Sequence, residues 1–350
     1  MQTVSVYVKE AYDVLIEDGI LDKAGDEIRK TLGLARIMIV TDDTVDRLYG
    51  ARLESALTAA GFTFSKFVIP HGEASKSAQN WLALLNKLAE ESFTRTDILC
   101  ALGGGVVGDL TGFAAASYLR GVRYVGIPTT LLAMTDSSVG GKTAIDLPAG
   151  KNLCGAFHQP SLVLSDPETL GTLPSEIFAD GMAEVIKYGV IGDPALFNML
   201  RSPNSLPMEE IIRRAVAMKA NIVEEDEHDR SVRKLLNFGH TAGHAIEAVS
   251  GFTVLHGHAV AAGMVIAARF AAARGSCDTS VISEIADTVR LYGLPDAFSY
   301  PPEKLTETAL RDKKREADTI DLILPLEIGK AEICRLPVSE ISAFLSGGTV

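Results

Sequence analysis

The sequence has few cysteines, no excess of positive charge and no long hydrophobic run. Four cysteines lie far apart without a Cys-x-x-Cys pair, which is typical of small buried side chains in a reducing compartment. A formal net charge of −12 argues against nucleic acids and anionic membrane surfaces as partners. The longest apolar stretch, residues 259–268, is far short of a membrane span. The first residues alternate like a strand and contain no signal-peptide hydrophobic region, so we expect a cytoplasmic protein.

The composition indicates a globular protein with more than one domain. Apolar residues make up 47% of the chain and the mean hydropathy is +0.18, which excludes a disordered protein. At 350 residues the chain exceeds what one hydrophobic core usually holds, so two domains are expected. A phosphorylated substrate is compatible with this acidic chain where lysines and arginines cluster locally.

The two halves of the chain differ in their hydrophobic periodicity. Up to residue 173, strand patterns (35–41, 62–69, 97–102, 122–127) alternate with helical patterns (44–60, 77–91, 106–119), which predicts a Rossmann-like parallel α/β sheet. Ligands of such sheets bind beyond the carboxyl ends of the strands. From residue 174 to 350 the pattern is mostly helical, with helices expected at 175–190, 208–225, 236–250, 259–274 and 279–291. We therefore expect an α/β domain over 1–173 and a mostly α-helical domain over 174–350.

A glycine-rich loop follows the strand pattern 97–102. Gly103, Gly105 and Gly108 fit G-x-G-x-x-G, in which glycines let the backbone approach a pyrophosphate at a helix N-terminus. A tight strand-to-helix turn would have the same sequence. The following strand carries no acid for a ribose, and Asp42, at an earlier strand exit, is a candidate for that role.

Glu184, His240, His244 and His256 form a candidate metal set. One carboxylate and two imidazoles suit a catalytic zinc that keeps coordination positions open for substrate. His240 and His244 are four residues apart and share a helix face, which fits either metal ligands or two hydrogen-bonded core histidines. Glu184 lies among apolar residues, which favours a site over an exposed ion pair with Lys187. A dinucleotide and a Lewis-acid metal in one chain would indicate redox chemistry on a hydroxyl.

Several cations lie outside the metal set. The segment Gly-Gly-Lys-Thr around Lys142 is not a P-loop, because Thr135 occupies the position of the upstream glycine. Taken singly, each of the other cations fits an ordinary solvated charge; they are Arg120, Lys151, Lys187, Lys219, Arg233, Lys313 and Lys314.

Taken together, these stretches closely resemble the 3-dehydroquinate synthase family over nearly the whole chain. The resemblance is carried by Gly-Gly-Gly-Val-Val-Gly-Asp-Leu-Thr-Gly-Phe, Asp-Ser-Ser-Val-Gly-Gly-Lys-Thr-Ala-Ile-Asp, Ala-Glu-Val-Ile-Lys-Tyr-Gly and Leu-Asn-Phe-Gly-His-Thr-Ala-Gly-His-Ala-Ile-Glu. It implies a dehydroquinate synthase-like fold, with NAD in the first domain and metal and substrate in the second. It also implies a cytoplasmic homodimer.

The resemblance also implies a role for each matching residue. The metal, Zn²⁺ or Co²⁺, would be bound by Glu184, His240 and His256. NAD would be bound by Asp42, His71, Gly72, Glu73, Ala74, Ser75, Lys76, Gly105, Val106, Val107, Gly108, Asp109, Thr129, Thr130, Lys142, Lys151, Thr169 and Thr172. Substrate would be held by Asp136, Lys142, Asn152, Lys187, Lys219, Arg233, Asn237, His244 and Lys314. Arg120 would act across a dimer interface.

The implied reaction is that of a carbon–oxygen lyase acting on a phosphorylated sugar acid. It converts 3-deoxy-D-arabino-heptulosonate 7-phosphate to 3-dehydroquinate and phosphate, in the shikimate pathway to aromatic amino acids, by transient oxidation, elimination, reduction and aldol cyclisation. Alternatives are another sugar-phosphate cyclase or a metal-dependent NAD polyol dehydrogenase. A non-catalytic nucleotide sensor is disfavoured by the complete metal set.

The chain departs from the family pattern at three positions. His258 replaces the usual Glu of Leu-His-Gly-Glu, and we expect it not to be a metal ligand, because residues two apart point away from each other on a helix or a strand. Asp229 and Ser231 replace a Glu and a Gly ahead of the second histidine motif.

Overall fold

The structure, a computed structural model, describes residues 1–203, 205–313 and 318–347. By their internal contacts the residues form two compact units. The first comprises Met1–Leu173 and Met208–Glu224, and the second Pro174–Pro207 and Glu225–Val350. The chain passes from the first unit to the second after Leu173, and the helix starting at Met208, which lies within the expected domain 174–350, groups with the first unit.

The secondary-structure elements alternate in the first half and are mainly helical in the second. The strands are β1 Gln2–Val6, β2 Tyr12–Ile16, β3 Arg36–Asp42, β4 Thr63–Ile69, β5 Ile98–Gly103, β6 Arg123–Pro128, β7 Lys142–Leu147, β8 Gly150–Phe157, β9 Leu162–Ser165, β10 Thr319–Glu327 and β11 Lys330–Pro337. The helices are α1 Ala24–Leu32, α2 Asp43–Val45, α3 Ala51–Ala59, α4 Ala78–Glu90, α5 Gly105–Ser117, α6 Ser175–Ile191, α7 Pro194–Leu200, α8 Met208–Glu225, α9 His240–Val249, α10 His256–Ala273, α11 Ser280–Leu291, α12 Pro302–Lys313 and α13 Ile341–Leu345.

The first unit is built on a seven-stranded sheet in the order β1-β2-β9-β6-β5-β3-β4. Only β1 pairs antiparallel with its neighbour, and the other pairings are parallel. All six residues of β5 are buried, as expected for a strand covered by helices on both faces. Ile98 and Cys100 pack with α1 and α3, while Leu99 and Ala101 pack with α4 and α5. This layering confirms the Rossmann-like parallel sheet.

The hairpin of β7 and β8 was not predicted from the sequence. The two strands pair antiparallel, with a register shift between Ile145 and Leu147. Five of the eight residues of β8 are exposed, so no buried stripe marks the strand. The hairpin carries Lys142 at its first residue and Lys151 on its second strand, and it thereby holds two predicted site residues on regular structure.

The second unit is mostly α-helical, as expected, with a single described hairpin, β10–β11. Every residue of α6 from Ala179 to Ile191 is buried, which makes it the central helix of the unit. Helix α10 packs against both α6 and α9. The packing against α9 depends on glycine, because a Cβ on Gly263 would lie 2.0 Å from the carbonyl oxygen of Gly239. Within the described residues, no helix combines the length and apolar character that crossing a membrane requires.

Candidate active site

Three predicted metal ligands meet in the second unit. Glu184 lies on α6, whereas His240 and His256 are the first residues of α9 and α10. The Nε2 atoms of His240 and His256 lie 3.5 and 3.4 Å from Oε1 of Glu184. One ligand atom from each of the three residues lies within 4.8 Å of the others. Glu184 is fully buried, so its charge requires cationic neighbours.

The ring of His240 is oriented by a backbone carbonyl. Its Nδ1 lies 3.0 Å from the carbonyl oxygen of Phe238, which can only accept, so Nδ1 carries the proton. In the neutral ring, the Nε2 lone pair then points toward Glu184. Burial lowers the pKa of His240 to about 3, against the opposing charge of Glu184. A lone pair facing a carboxylate suits a cation between them, so this donor set fits a divalent metal with two imidazole ligands and one carboxylate.

His256 is held between two carboxylates. Its Nδ1 lies 3.3 Å from Oε2 of Glu247 on α9, while Nε2 faces Glu184. Burial by itself would lower the pKa of His256, but the hydrogen bonds and charges of Glu184 and Glu247 outweigh it and raise the pKa to about 10. Glu247 was not singled out in the sequence. Its three-residue spacing from His244 would have marked it as a candidate partner on the same helix face.

Two buried cations lie in the same unit. The ammonium of Lys187, 1% exposed and one turn beyond Glu184, contacts Oε2 of that carboxylate. The guanidinium of Arg233, also 1% exposed, donates from Nη1 to the carbonyl of Glu227 at 2.6 Å. The ring of His244 lies 5.4 Å from that of His240, centre to centre. Asn237 is exposed, three residues before His240.

Asp226 organises the turn that carries Arg233. Its carboxylate accepts the backbone N–H groups of Arg230, Ser231 and Arg233 at 2.9, 2.6 and 3.2 Å. Burial opposes ionisation, but these hydrogen bonds lower the pKa of Asp226 to about 2. The departures Asp229 and Ser231 lie within this turn, and Asp229 adopts a left-handed φ of 57°.

His258 lies away from the metal set. Its Nδ1 lies 3.2 Å from Oδ1 of Asp180, one turn before Glu184 on α6. Among the residues that the structure describes, two groups come close enough to hold a metal ion, and His258 is in neither. The second group consists of His244, Glu247 and His256.

The glycine loop opens helix α5 in the first unit. A Cβ on Gly104 would lie 3.0 Å from Cγ2 of Thr130, whereas a Cβ on Gly108 would meet nothing within 4 Å. Open space in front of Gly108 lets a ligand approach the backbone at the helix N-terminus, so the loop fits a pyrophosphate. A cleft adjoins Gly103, Gly104, Gly108, Asp109, Lys142 and Thr143. By contrast, the Val107 side chain packs into the hydrophobic core.

The loop after β4 contacts α5 through one buried ion pair. Nζ of Lys76, 5% exposed, lies 2.6 Å from Oδ2 of Asp109. Burial lowers the pKa of Lys76, but the charge of Asp109 outweighs it and the net shift is upward. Glu73 lies 3.9 Å from Lys151 of β8. The loop after β4 therefore contacts both α5 and β8, and residues of all three segments were predicted to bind NAD.

The remaining residues of the loop lie around this ion pair. Gly72 has a φ of 98°, a left-handed conformation that favours glycine, and precedes the single helical turn Glu73–Ser75 that contains Ala74. Ser75 donates to the carbonyl of Pro70 at 2.5 Å. His71 is exposed and pairs with Asp43 at 2.9 Å.

Other predicted nucleotide contacts lie at strand exits of the same sheet. Asp42 caps α2 and accepts the N–H groups of Thr44 and Val45, both at 2.9 Å. Thr129 follows β6 and donates its N–H to Gly103 at 3.1 Å. Thr169 and Thr172 follow β9 and both interact with the hydroxyl of Tyr49, at 3.0 and 2.6 Å.

Four predicted substrate residues lie in the first unit. The ammonium of Lys219 on α8 contacts the side chain of Asp136 and donates to its carbonyl oxygen at 2.7 Å. Asn152 adopts a φ of 57° and donates its N–H to Asp146 at 2.8 Å. Lys142 lines the cleft beside the glycine loop.

Two predicted residues remain, Arg120 and Lys314. Arg120 is exposed, with a left-handed φ of 68°, in the turn after α5. Lys314 lies outside the described residues, so its predicted substrate contact stays a prediction. Lys219 and Arg233 were found by resemblance alone, since no local spacing marks them as a pair.

Comparison with known proteins identifies one family along most of the chain. The 3-dehydroquinate synthase N-terminal profile matches residues 66–180, and the C-terminal profile matches residues 181–315. The chain is 43% identical over 343 residues to the 3-dehydroquinate synthase of Enterococcus faecalis (strain ATCC 47077 / OG1RF), covering 96% of each protein. It is 44% identical over 363 residues to that of Caulobacter vibrioides (strain NA1000 / CB15N), covering 99% of this chain and 98% of that protein.

A solved structure shares the whole fold. It is a 2-epi-5-epi-valiolone synthase from Streptomyces hygroscopicus subsp. jinggangensis 5008 with NAD⁺ and Zn²⁺ bound. The two chains are 30% identical, with a TM-score of 0.88 and 98% of each chain covered. Neighbours of this kind agree with the dehydroquinate synthase-like fold expected from the sequence.

Proposed function

The chain belongs to the 3-dehydroquinate synthase family, and on that premise we propose that it is the enzyme that makes 3-dehydroquinate. Its substrate would be 3-deoxy-D-arabino-heptulosonate 7-phosphate, and phosphate would be released by a carbon–oxygen lyase reaction. The observation that supports this activity most directly is the cluster of Glu184, His240 and His256 in a chain 43% identical to curated synthases.

We assign the metal to the second unit and NAD to the first. Glu184, His240 and His256 would hold Zn²⁺ or Co²⁺, a reading supported by the lone-pair geometry of His240. NAD would lie against α5. The open space at Gly108 would give it access to backbone N–H donors, and the Lys76–Asp109 ion pair would supply fixed charges beside it. When bound, the metal supplies a Lewis acid and NAD supplies a reversible hydride acceptor.

The chain's own residues would orient the substrate and stabilise negative charge. Lys187 and Arg233 are buried cations of the kind that can neutralise a phosphate as its C–O bond breaks. The Asp226 hydrogen bonds and the Glu227 carbonyl fix Arg233 before substrate arrives. In the first unit, Asp136 and Lys219 form one contact that would present an acceptor and a donor together to substrate hydroxyls.

Identity favours dehydroquinate as the product over the rings that related cyclases make. The chain is 43–44% identical to the curated synthases quoted and 30% identical to the valiolone synthase. We further propose a homodimer that acts in the cytoplasm. The assembly proposal rests on the family role implied for the exposed Arg120.

The proposed activity is tested by incubating the protein with the heptulosonate phosphate, Zn²⁺ and NAD, and measuring phosphate and NADH together. If NAD is restored in each turnover, released phosphate greatly exceeds accumulated NADH. Equal amounts of both would instead indicate a dehydrogenase. Turnover of a different sugar phosphate, with none of the heptulosonate, would indicate another cyclase.

A further inference from the structure

Asp180 lies at the contact between the two helices that carry Glu184 and His256. It sits on α6 four residues before Glu184, so both carboxylates lie on one face of that helix. Helix α10 begins at His256, and its preceding residue, Leu255, provides no side-chain cap. The first N–H groups of α10 therefore need acceptors from elsewhere.

The carboxylate of Asp180 supplies that acceptor. Its Oδ1 accepts the backbone N–H of His258 at 3.1 Å and lies 3.2 Å from Nδ1 of the same residue. Both His258 donors thus converge on one oxygen of another helix. A carboxylate at a helix N-terminus is also favoured by the helix dipole.

Gly257 allows the helices to approach this closely. A Cβ at this position would lie 2.0 Å from the carbonyl oxygen of Asp180 and 2.9 Å from its Oδ1. The start of α10 is therefore pressed against α6, and His256 is the adjacent residue. The Nε2 atom of His256 reaches Glu184 from this fixed position.

We propose that Asp180 is a positioning residue that caps α10 and thereby sets His256 against Glu184. This inference rests on the proposed metal site. His258, where the chain departs from its family, serves as the partner of Asp180 and not as a ligand. Ligand orientation by neighbouring hydrogen bonds typically changes metal affinity by about 10–100-fold.

The test measures Zn²⁺ binding to the metal-free full-length protein by competition with a chromophoric chelator, together with the melting temperature. We expect Asp180→Ala to weaken Zn²⁺ binding by about 10–100-fold, while one ion still binds at saturation. Asp180→Asn keeps an oxygen that can accept the His258 N–H, so its affinity should lie closer to wild type. Should the alanine variant fail to fold, Asp180→Ser, whose hydroxyl is too short to reach, gives the same comparison.

The matched control is Asp193→Ala. Asp193 caps α7 in the same unit, accepting the N–H of Leu196 at 2.9 Å. Its loss should lower the melting temperature without changing Zn²⁺ affinity. Asp180 variants that lose thermal stability but bind Zn²⁺ as tightly as wild type would overturn the positioning role.

The proposed metal site is tested separately in the same titration. If His256→Ala binds Zn²⁺ like wild type, the metal assignment itself fails. If His256→Ala loses the ion while Asp180→Ala and Asp180→Ser retain full affinity, only the positioning role of Asp180 fails.

Discussion

At the scale of single residues, the second unit contains buried charged side chains, and burying a charge is costly unless groups of opposite charge lie beside it. Glu184, Lys187 and Arg233 are each 1% exposed or less. An isolated buried carboxylate would shift its pKa or destabilise the fold, so its cationic and imidazole neighbours are needed for folding as well as for chemistry. The sequence indicated Glu184 from its apolar surroundings. It did not indicate Glu247 or Asp180, whose roles depend on residues nine and 78 positions away.

Removal of any one proposed ligand should abolish metal binding and activity together. We expect this for Glu184→Ala, His240→Ala and His256→Ala, because a site with three protein ligands has no spare one. Metal content by atomic emission and activity should fall in parallel. Wild-type metal content in His240→Ala would remove that residue from the coordination set.

Substitution of His258 should have a milder result. His258→Ala removes the Nδ1 contact to Asp180 but leaves the three proposed ligands in place. Zn²⁺ affinity or activity should fall by about 10–100-fold, and one ion per chain should still bind at saturation. If His258→Ala and His256→Ala are both metal-free at saturating Zn²⁺, the coordination set must be redrawn.

Asp226 should make stability depend on pH in the acid range. Its pKa is about 2 in the folded protein against 3.8 for an ordinary aspartate, so the ionised group stabilises the fold above about pH 4. That contribution, on the order of 2 kcal/mol, is lost as the pH falls toward 2. Asp226→Asn should therefore lower the free energy of unfolding most at neutral pH.

Urea denaturation at pH 7 and pH 3 measures this difference. The difference in the free energy of unfolding between wild type and Asp226→Asn should be smaller at pH 3 than at pH 7. A gap that stays constant or widens would contradict the assignment.

At the scale of helices and strands, the periodicity of the sequence predicts β3, β4, β5 and β6 to within a residue at each end, whereas the short strands β2 and β9 were not predicted. Buried strands such as β5 read as continuous apolar runs and are easily recognised. The hairpin β7–β8 was missed because its exposed second strand has no such run. Helix α10 was expected to start at residue 259, but it starts at His256. The backbone N–H of His258 in its first turn is accepted by Asp180 of another helix, a contact that a local sequence pattern does not reveal.

Substitution of the glycines of α5 can distinguish an effect on nucleotide binding from an effect on folding. Gly108→Ala adds a Cβ into open space, and alanine is favoured over glycine in a helix by about 1 kcal/mol. We expect an unchanged or higher melting temperature but weaker NAD binding, measured by calorimetry, because the added methyl group occupies the space proposed for the pyrophosphate.

Gly112→Ala on the same helix is the control. Its Cβ would lie 2.3 Å from Cγ2 of Thr143, so this variant should be destabilised. NAD binding to Gly108→Ala that equals wild type would exclude the glycine loop as the pyrophosphate site.

At the scale of the whole molecule, the sequence predicted two domains and the change from α/β to mostly α. It assigned α8 to the second domain, since helical periodicity alone carries no information on tertiary partners. The contact of Lys219 with Asp136 joins α8 to the first unit. Such long-range pairing follows from packing, which a pattern along the chain does not encode.

The proposed dimer can be tested by subunit mixing. If Arg120 acts in the partner's site, mixing inactive Arg120→Ala and Lys187→Ala proteins creates hybrid dimers with one intact site each. Random exchange should restore roughly a quarter of wild-type activity, because half of the dimers are hybrid and half of their sites are intact. Subunit exchange is verified by mass spectrometry of differently tagged chains, and exchange without recovery would count against a shared site.

Asp180, Glu184 and Lys187 lie within two turns of the buried helix α6. Each residue added or removed inside it would rotate everything beyond that point by about 100° and shift it by about 1.5 Å. An insertion between Asp180 and Glu184 would therefore uncouple the capping carboxylate from the ligand, and one before Asp180 would misdirect all three. Loops can gain residues over evolution, but the part of α6 from Asp180 to Lys187 can change only by substitution, not by insertion or deletion. Its length is thus under a tighter constraint than the identity of most of its side chains.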